Sequence, residues 1–179
     1  MPLSSYMRDL RAKIGHDVLL QPGVAAVIVN AAGEVLLQRR SDNGEWGLPG
    51  GIMEPGEEPA ATLVREIREE TALEVVPERI VGVYGGPDFI VRYPNGDEAA
   101  ILSVTFFCRP VAGEPRVNDD ESLEIRYFAP DALPAMPPRH HMRIADAMRN
   151  DPRARFRPPH PPAPSPGPLP LAGERVDQG

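Results

Sequence analysis

The 179-residue sequence has a single cysteine and no long apolar run. One cysteine excludes an intramolecular disulfide, and Cys108 lies in the apolar run Thr-Phe-Phe-Cys, which predicts a buried side chain. No segment approaches the ~18 consecutive apolar residues of a membrane span. The N-terminal residues also lack the apolar core of a signal peptide. We therefore expect a cytoplasmic protein that does not use thiol chemistry.

The sequence also lacks an excess of positive charge, because 26 acidic residues face 19 basic ones and give a net charge of −7. Nucleic acids and anionic membranes bind basic surfaces, so neither is expected as the main partner. The acidic residues are concentrated in two segments, 54–78 and 119–124, which together carry a charge of −10 and leave the rest at +3. This pattern predicts a near-neutral scaffold with two acidic patches that cations would stabilise.

Proline is distributed unevenly, since nine of the 23 prolines lie in residues 151–179. We interpret the chain as an N-terminal helical extension at residues 1–20, a folded domain at 21–150 and a Pro-rich tail at 151–179. The tail has too little apolar content to fold alone, so we expect it to be disordered or polyproline II. A tail that binds an aromatic groove on a partner is the alternative to an inert one.

Hydrophobic periodicity predicts an α+β fold in which a mixed β-sheet packs between helices as an α/β/α sandwich. Helices are expected at residues 5–14, 58–71 and 139–149. Strands are expected at residues 23–30, 34–38, 73–76, 80–84, 89–93, 99–108 and 124–128. The first two strands are predicted to form a hairpin around an Asn-Ala-Ala-Gly turn, and the fifth and sixth to form another around Asn95-Gly96.

Apolar spacing also predicts which helix faces are buried. On the central helix the expected stripe is Ala60, Leu63, Val64 and Ile67. On the closing helix the expected buried side is Met142, Ile144, Ala145 and Met148. The neighbouring pair His140 and His141 is expected on the surface.

Three carboxylates share one face of the central helix, because Glu66, Glu69 and Glu70 stand at positions i, i+3 and i+4. Like charges at this spacing cost a few tenths of a kcal/mol per pair, which a bound cation would offset. Oxygen ligands with no histidine or cysteine nearby indicate a hard ion, Mg²⁺ or Mn²⁺. The alternative is a solvated acidic face that binds nothing.

Residues 51–73 resemble the Nudix box of the Nudix hydrolases. The family pattern is Gly, five residues, Glu, seven residues, and then Arg-Glu-apolar-any-Glu-Glu-any-Gly-apolar. Eight of the nine specified positions match, namely Gly51, Glu57, Arg65, Glu66, Ile67, Glu69, Glu70 and Leu73. The exception is Ala72, where the family has the glycine that ends the helix, and a left-handed alanine there costs about 1 kcal/mol. The resemblance extends over residues 23–128.

The resemblance implies a Nudix hydrolase domain that cleaves the pyrophosphate bond of a nucleoside diphosphate linked to another moiety. ADP-ribose or a related sugar nucleotide is favoured, and nucleoside triphosphates and dinucleoside polyphosphates are the other substrate classes. Such phosphoryl transfer needs positioning and charge neutralisation more than covalent chemistry. The alternative is a non-catalytic Nudix-fold module that senses a nucleotide. Such a module can lose metal-binding carboxylates, whereas this chain retains all of them.

The resemblance also implies a metal site, in which Glu66, Glu69 and Glu70 bind Mg²⁺ or Mn²⁺ and the carbonyl of Gly50 is a further ligand. Glycines in the loop before the helix allow the backbone to approach the same ion.

The catalytic group implied in the same way contains Glu57, Arg65, Glu66 and Glu121. Glu57 would orient the helix carboxylates, and Arg65 would hold Glu57 because a guanidinium can bind a carboxylate through two hydrogen bonds. The general base is either a box glutamate or an acid of segment 119–124, of which we take Glu121 first. A solvated loop acid is the alternative for Glu121.

Two further side chains are candidates for binding substrate. Arg40, at the end of the second predicted strand, can contact a phosphate, with a surface ion pair as the alternative. Tyr84 can stack on a base, with core packing as the alternative. The expected partner is therefore a small-molecule nucleotide, with neither nucleic acid nor membrane involved, and the resemblance makes a homodimer a candidate assembly.

Overall fold

The computed structural model describes residues 5–93 and 95–158. Within these residues the α-helices are α1 (Ser5–Ile14), α2 (Pro59–Thr71) and α3 (Pro138–Met148). The strands in the same ranges are β1 (Leu19–Ile28), β2 (Val35–Arg40), β3 (Trp46–Gly47), β4 (Glu74–Tyr84), β5 (Ile90–Arg92), β6 (Glu98–Ala112) and β7 (Ser122–Phe128). A short 3₁₀ helix at Pro87–Phe89 precedes β5. The predicted helices are confirmed, and each predicted end lies within one residue of the observed end.

The strands form two sheets. In the larger sheet the order is β1-β6-β4, with β5 also paired to β6, and β1 runs parallel to β6 while the other pairs are antiparallel. The smaller sheet has the order β3-β2-β7 and is antiparallel. The larger sheet confirms a mixed sheet in an α+β fold.

Helices α2 and α3 cover opposite faces of β1, which makes the fold a sandwich. Val24, Ala26 and Ile28 pack in one core cluster with Leu63 and Ile67 of α2. The intervening residues of β1, Ala25 and Val27, pack in a second cluster that contains Ile144 and Ala147 of α3. Alternate side chains of a strand point to opposite faces, so β1 forms the centre of the molecule. Cys108 is buried in the first cluster, as predicted.

The hairpin predicted for β1 and β2 is wrong. The turn forms, because the Asn30 N–H donates to the Glu34 carbonyl, but only one bridge, between Val29 and Val35, joins the chain on its two sides. The strands then enter different sheets. The second edge of β1 is instead occupied by the loop before α2, where Pro49 and Gly51 accept hydrogen bonds from the strand. The hairpin of β5 and β6 is confirmed.

Strands predicted separately at 73–76 and 80–84 are one strand, β4. Pairing with β6 continues across the whole length, with irregularities that include one next to Pro77. Because β4 lies at the end of the strand order, a proline costs it less than it would cost a central strand.

The buried face of α2 differs from the predicted stripe. Leu63 and Ile67 are buried, whereas Ala60 and Val64 are exposed. The other buried residues of this helix are polar, namely Thr62, Glu66, Glu70 and Thr71. The helix is therefore rotated so that carboxylates, and not only apolar side chains, face the interior.

The predicted face of α3 is wrong for a similar reason. Ile144 is buried as expected, but Ala145 and Met148 are exposed and Met142 is half-buried. The interior positions are taken by His140, Arg143, Ile144 and Ala147. The surface position predicted for His140 is therefore wrong, while His141 is exposed. Polar side chains can occupy such positions when hydrogen bonds satisfy them, as they do here.

The first residues after α3 pack against β4. Arg155 forms a parallel bridge with Gly82, and its backbone exchanges hydrogen bonds with Val81 and Val83. From residue 159 onward, the Pro-rich tail predicted at 151–179 lies outside the described residues. Among residues 5–93 and 95–158, no helix has the length and apolar character needed to cross a membrane.

Candidate active site

Arg65 donates hydrogen bonds to three carboxylates of the site. Its Nε and Nη2 atoms donate to the two carboxylate oxygens of Glu57 at 2.7 and 2.9 Å. Its Nη1 atom donates to Glu66 at 3.0 Å and to Glu69 at 3.2 Å. One guanidinium therefore offsets part of the repulsion among three carboxylates, and the predicted contact between Arg65 and Glu57 is present with two hydrogen bonds.

Glu57 holds the loop that precedes α2. Besides Arg65, it accepts hydrogen bonds from the Glu54 backbone N–H at 3.0 Å and from the Thr62 hydroxyl at 2.8 Å. The hydrogen bonds from Arg65 contribute most to lowering the pKa of Glu57 to about 2, so this carboxylate stays ionised. Glu57 thus connects the loop to the first turns of the helix.

Glu70 is the most deeply placed acid of the helix. It is 2 % exposed, and its Oε2 atom accepts a hydrogen bond from the Gly50 backbone N–H at 2.9 Å, while Oε1 accepts one from Gln38 at 3.2 Å. Burial, together with the nearby charges of Glu66 and Asp119, raises the pKa of Glu70 to about 8. Burial likewise raises the pKa of Glu66. Both groups would be stabilised as anions by a cation.

Two glycines let the loop pass between β1 and α2. At Gly50, where φ is 145°, a Cβ atom would lie 2.3 Å from the Val24 carbonyl oxygen. At Gly51 a Cβ atom would lie 2.2 Å from Cδ of Glu66. Any larger residue at either position would displace the loop or the carboxylate. The first glycine of the box is therefore required by the close approach of Glu66.

A second loop reaches the site because it caps the C-terminal end of α2. The Asn118 side chain donates to the carbonyls of Arg68 and Glu69 at 3.2 and 3.1 Å, and its backbone N–H donates to the Glu70 carbonyl at 3.2 Å. The Arg116 N–H donates to the Thr71 carbonyl at 3.1 Å. These bonds satisfy carbonyls that a helix end leaves without partners, and they fix the residues that follow.

The two loops and the helix bring three acids together. Glu70, Asp119 and Glu121 each offer an oxygen, and these oxygens lie within 4.8 Å of one another. Asp119 Oδ1 accepts hydrogen bonds from the backbone N–H groups of Glu121 and Ser122, whereas its buried Oδ2 has no hydrogen-bond partner among the described residues. Oxygen donors of this kind match the preference of Mg²⁺ and Mn²⁺. The residues present therefore fit the divalent cation that the box implies.

Of the predicted metal ligands, Glu70 lies in the three-acid cluster, whereas Glu66 and Glu69 contact Arg65. Glu66 is buried, and its charge raises the pKa of Glu70. The Oε1 atom of Glu66 accepts a hydrogen bond from Arg65. Glu69 is half-exposed and also contacts Arg65. Gly50 touches the cluster through its N–H group. The acids 119 and 121 come from the segment in which the general base was predicted.

Ala72 ends α2 in the left-handed conformation, with φ of 58° and ψ of 14°. Its N–H donates to the Arg68 carbonyl at 3.1 Å. The turn of the family pattern is therefore kept although alanine replaces glycine.

Arg40 and Tyr84 are both engaged with protein groups. Arg40 donates to both carboxylate oxygens of Asp42, at 2.9 and 2.7 Å, and its charge acts on Glu70. Tyr84 is buried, donates to Asp146 at 3.1 Å and stacks on Phe89 with ring centroids 6.1 Å apart. Arg40 thus lies within electrostatic reach of the acidic cluster, whereas the contacts of Tyr84 lie with α3 and the 3₁₀ helix.

Two residues of the site were not singled out from the sequence. Gln38 bridges Glu70 and Ser122, to whose hydroxyl it donates at 2.8 Å. A polar residue directly after the apolar run of β2 is a weak signal, because the pattern does not show what faces it. Asn118 caps α2 from 48 positions beyond its last acid, and no local pattern predicts that contact.

The site can be compared with known proteins. A family model described as the NUDIX domain matches residues 19–150. A MutT-like protein of Streptomyces ambofaciens is 33 % identical over 126 residues, which are 70 % of this chain and 75 % of that protein. An ADP-ribose pyrophosphatase of Methanocaldococcus jannaschii is 35 % identical over 146 residues, which are 79 % of this chain and 80 % of that protein. The solved structure of a MutT NUDIX hydrolase from Burkholderia pseudomallei is similar with a TM-score of 0.59 and 26 % identity, covering 71 % of this chain and 97 % of that one.

Proposed function

This chain belongs to the Nudix hydrolase family and is a Nudix pyrophosphohydrolase, and we propose that it cleaves a nucleoside diphosphate linked to a second moiety, with Mg²⁺ as cofactor. We place ADP-ribose or a related sugar nucleotide first among the substrates. The similarity to an ADP-ribose pyrophosphatase over 79 % of the chain supports this order. Nucleoside triphosphates and dinucleoside polyphosphates remain the competing classes.

The single observation that carries the proposal is the meeting of Glu70, Asp119 and Glu121, whose oxygens lie within 4.8 Å of one another. These residues would hold the cation, with Glu66, Glu69 and the Gly50 carbonyl proposed to complete its surroundings. When bound, Mg²⁺ would neutralise charge that develops on the phosphate oxygens. Repulsion among the acids would then be relieved in the complex.

The remaining roles follow from what each side chain touches. Glu121 would accept a proton from the attacking water as the water oxygen bonds to phosphorus and the bridging P–O bond breaks. The leaving phosphate would depart with the bond's electron pair. Glu57 and Arg65 would keep Glu66 in place through the hydrogen bonds described above. Arg40 is proposed to contact a substrate phosphate, and Tyr84 to contribute to substrate binding through its position beside Phe89.

A substrate panel tests the proposal directly. The full chain would be incubated with Mg²⁺ and ADP-ribose, other sugar nucleotides, nucleoside triphosphates and dinucleoside polyphosphates, and the products separated by chromatography. Asp119→Asn should lose most activity, whereas Asp120→Asn, which changes an exposed neighbour, should not. No hydrolysis of any compound, together with stabilisation by one of them, would support the nucleotide-sensing alternative.

The partner, the location, the domain boundaries and the assembly are also part of the proposal. We propose a small-molecule nucleotide as the partner, with neither nucleic acid nor membrane involved, and a cytoplasmic location. We propose a catalytic domain at residues 21–150, an N-terminal extension at 1–20 and a Pro-rich tail at 151–179. The first residues of this tail pack against β4, where Arg155 bridges Gly82. A homodimer is proposed as the assembly, and light scattering of the full chain would give its mass.

A further inference from the structure

A buried histidine connects α3 with the loop that faces the acidic cluster. His140 is 8 % exposed, and the Leu48 backbone N–H donates to its Nδ1 atom at 3.0 Å. Leu48 and His140 are 92 positions apart in the chain. The loop is thus held from the α3 side as well as from β1.

The hydrogen bonds define the protonation state of this ring. Nδ1 of His140 faces two groups that can only donate, the Leu48 N–H and Nη2 of Arg143, which lies 2.9 Å away. A nitrogen that accepts cannot carry a proton, so the ring is neutral with its hydrogen on Nε2. Burial and the charge of Arg143 also hold the pKa of His140 well below its ordinary value. The ring therefore serves as an acceptor at neutral pH.

Arg143, which donates to the same ring nitrogen as Leu48, is itself held in place. It is 5 % exposed, and it donates from Nε to the Arg139 carbonyl at 3.1 Å and from Nη1 to the Ser103 hydroxyl at 3.3 Å. Its guanidinium also lies 5.5 Å from the centre of the Phe89 ring. Through Ser103 it ties α3 to β6. His140 is consequently held in place by the sheet as well as by its own helix.

The ring fits closely against the start of the loop. A Cβ atom at Gly47 would lie 2.8 Å from Cε1 of His140, so the ring occupies the space that a side chain would take. Leu48 follows Gly47, and two residues later the Gly50 N–H donates to Glu70. Only Pro49 therefore separates the residue that donates to the ring from the residue that donates to the acid.

We propose that His140 is a positioning residue for the acidic cluster. By holding the Leu48 N–H, it keeps Gly50 in hydrogen-bond contact with Glu70 and so orients the Glu70 carboxylate towards the cation. This inference rests on the proposed function, because it assumes that Glu70 binds a divalent cation. Two other bonds to β1, from Ala26 to Pro49 and from Val24 to Gly51, also hold the loop, so losing His140 weakens cation binding without abolishing it.

The experiment measures Mn²⁺ binding to the metal-free full chain by calorimetry and compares three variants. His140→Leu removes the acceptor and should raise the Kd about tenfold. This is the lower end of the effect expected for residues that hold metal ligands in place. His140→Asn places an amide oxygen near the Nδ1 position and should stay within roughly threefold of the original protein. His141→Leu changes an exposed neighbour on the same helix and should leave the Kd unchanged.

A variant at Gly47 and a local measurement at Leu48 separate positioning from simple loss of stability. Gly47→Ala should displace the ring and weaken Mn²⁺ binding in the same direction as His140→Leu, and it replaces that variant if the latter does not fold. The amide of Leu48 should exchange its hydrogen faster in His140→Leu than in His140→Asn.

Each outcome has a distinct meaning. Unchanged Mn²⁺ binding in His140→Leu, or no recovery in a folded His140→Asn, would overturn the positioning role while leaving the metal site intact. A failure of the original protein to bind Mn²⁺ would instead overturn the proposed function, and this inference with it.

Discussion

The backbone N–H of Asn118 donates to the carbonyl of Glu70, so the residue that closes the acidic helix also fixes the loop that faces it. The side chain of Glu70 meets Asp119, the next residue of that loop. One residue of α2 thus contacts the loop through its backbone and through its side chain, which makes the geometry of the site dependent on a helix cap.

Replacing the cap should therefore affect both stability and catalysis. Asn118→Ala removes two side-chain hydrogen bonds to α2, and we expect a loss of about 1 kcal/mol in the free energy of unfolding. Turnover should fall even though the protein stays folded, because Asp119 and Glu121 lose their fixed position. Denaturation curves and turnover at saturating Mg²⁺ would measure the two effects. Val117→Ala is the control, and equal activity in both variants would contradict the expectation.

The helix acids should be needed for turnover and not for folding. Glu66→Gln and Glu70→Gln keep the size of each side chain but remove its charge, so each should abolish most Mg²⁺-dependent hydrolysis while the circular dichroism spectrum stays the same. Glu74→Gln, at an exposed position next to the box, should remain active. Turnover like that of the original protein in either helix variant would remove that residue from the metal site.

The stability of the metal-free protein should fall as the pH rises. Burial raises the pKa of Glu70 to about 8 from an ordinary 4.5, so the folded state binds this proton more tightly than the unfolded state. The resulting contribution is complete below pH 4.5 and is lost as the pH rises through about 8. Mg²⁺ should offset the loss, because it favours the ionised carboxylate.

Thermal unfolding between pH 4.5 and 8.5, with and without Mg²⁺, measures this effect. The control is Glu70→Gln, which cannot ionise and should show a smaller decline in Tm over the same range. An identical decline in both proteins would show that another group is responsible.

Replacing alanine by glycine should have opposite effects on stability at the left-handed end of α2 and inside the helix. Ala72→Gly should raise the free energy of unfolding by about 1 kcal/mol, because glycine adopts the observed φ of 58° without strain. Ala61→Gly, at an exposed position inside the same helix, should lower it by about 1 kcal/mol. Chemical denaturation of both variants would test the pair, and a destabilised Ala72→Gly would contradict the assignment of strain to this residue.

Arg65 should not be replaceable by lysine. A lysine carries the charge but cannot hold both oxygens of Glu57 and also reach Glu66 and Glu69 in a fixed geometry. We expect Arg65→Lys to fold and to lose about tenfold or more in turnover. Arg68→Lys, on the exposed side of the helix, is the matched control. Comparable rates in the two variants would limit Arg65 to a structural ion pair.

The box could be located from the sequence because its chemistry is local. Residues at fixed intervals on one helix share a face, so the grouping of Glu66, Glu69 and Glu70 was predictable. The contact between Glu57 and Arg65 was predicted only from the resemblance to the Nudix box. The rest of the site depends on contacts between distant parts of the chain. Asp119 reaches Glu70 only because Asn118 caps α2, and a sequence does not show which loop will cap which helix.

Two errors have the same physical origin. The hairpin of β1 and β2 was expected because two β-type runs flank an Asn-Ala-Ala-Gly turn, but Pro49 and Gly51 bind the edge that β2 would have used. His140 was expected on the surface because no other candidate ligand lies near the His140-His141 pair in the sequence. Its burial depends on the Leu48 N–H and on Arg143, and neither contact follows from the helical pattern.

The bridge between Arg155 and Gly82 also covers part of the free edge of β4. Strand β4 ends the larger sheet, and exposed edge strands are templates for pairing with other chains. Here Arg155 occupies the backbone groups of Val81 and Val83, and the absence of a side chain at Gly82 permits its approach, since a Cβ would lie 2.7 Å from the Arg155 carbonyl oxygen. The residues after α3 therefore leave fewer backbone groups on this edge open to pairing with another chain, and a chain shortened to residue 150 would expose those groups.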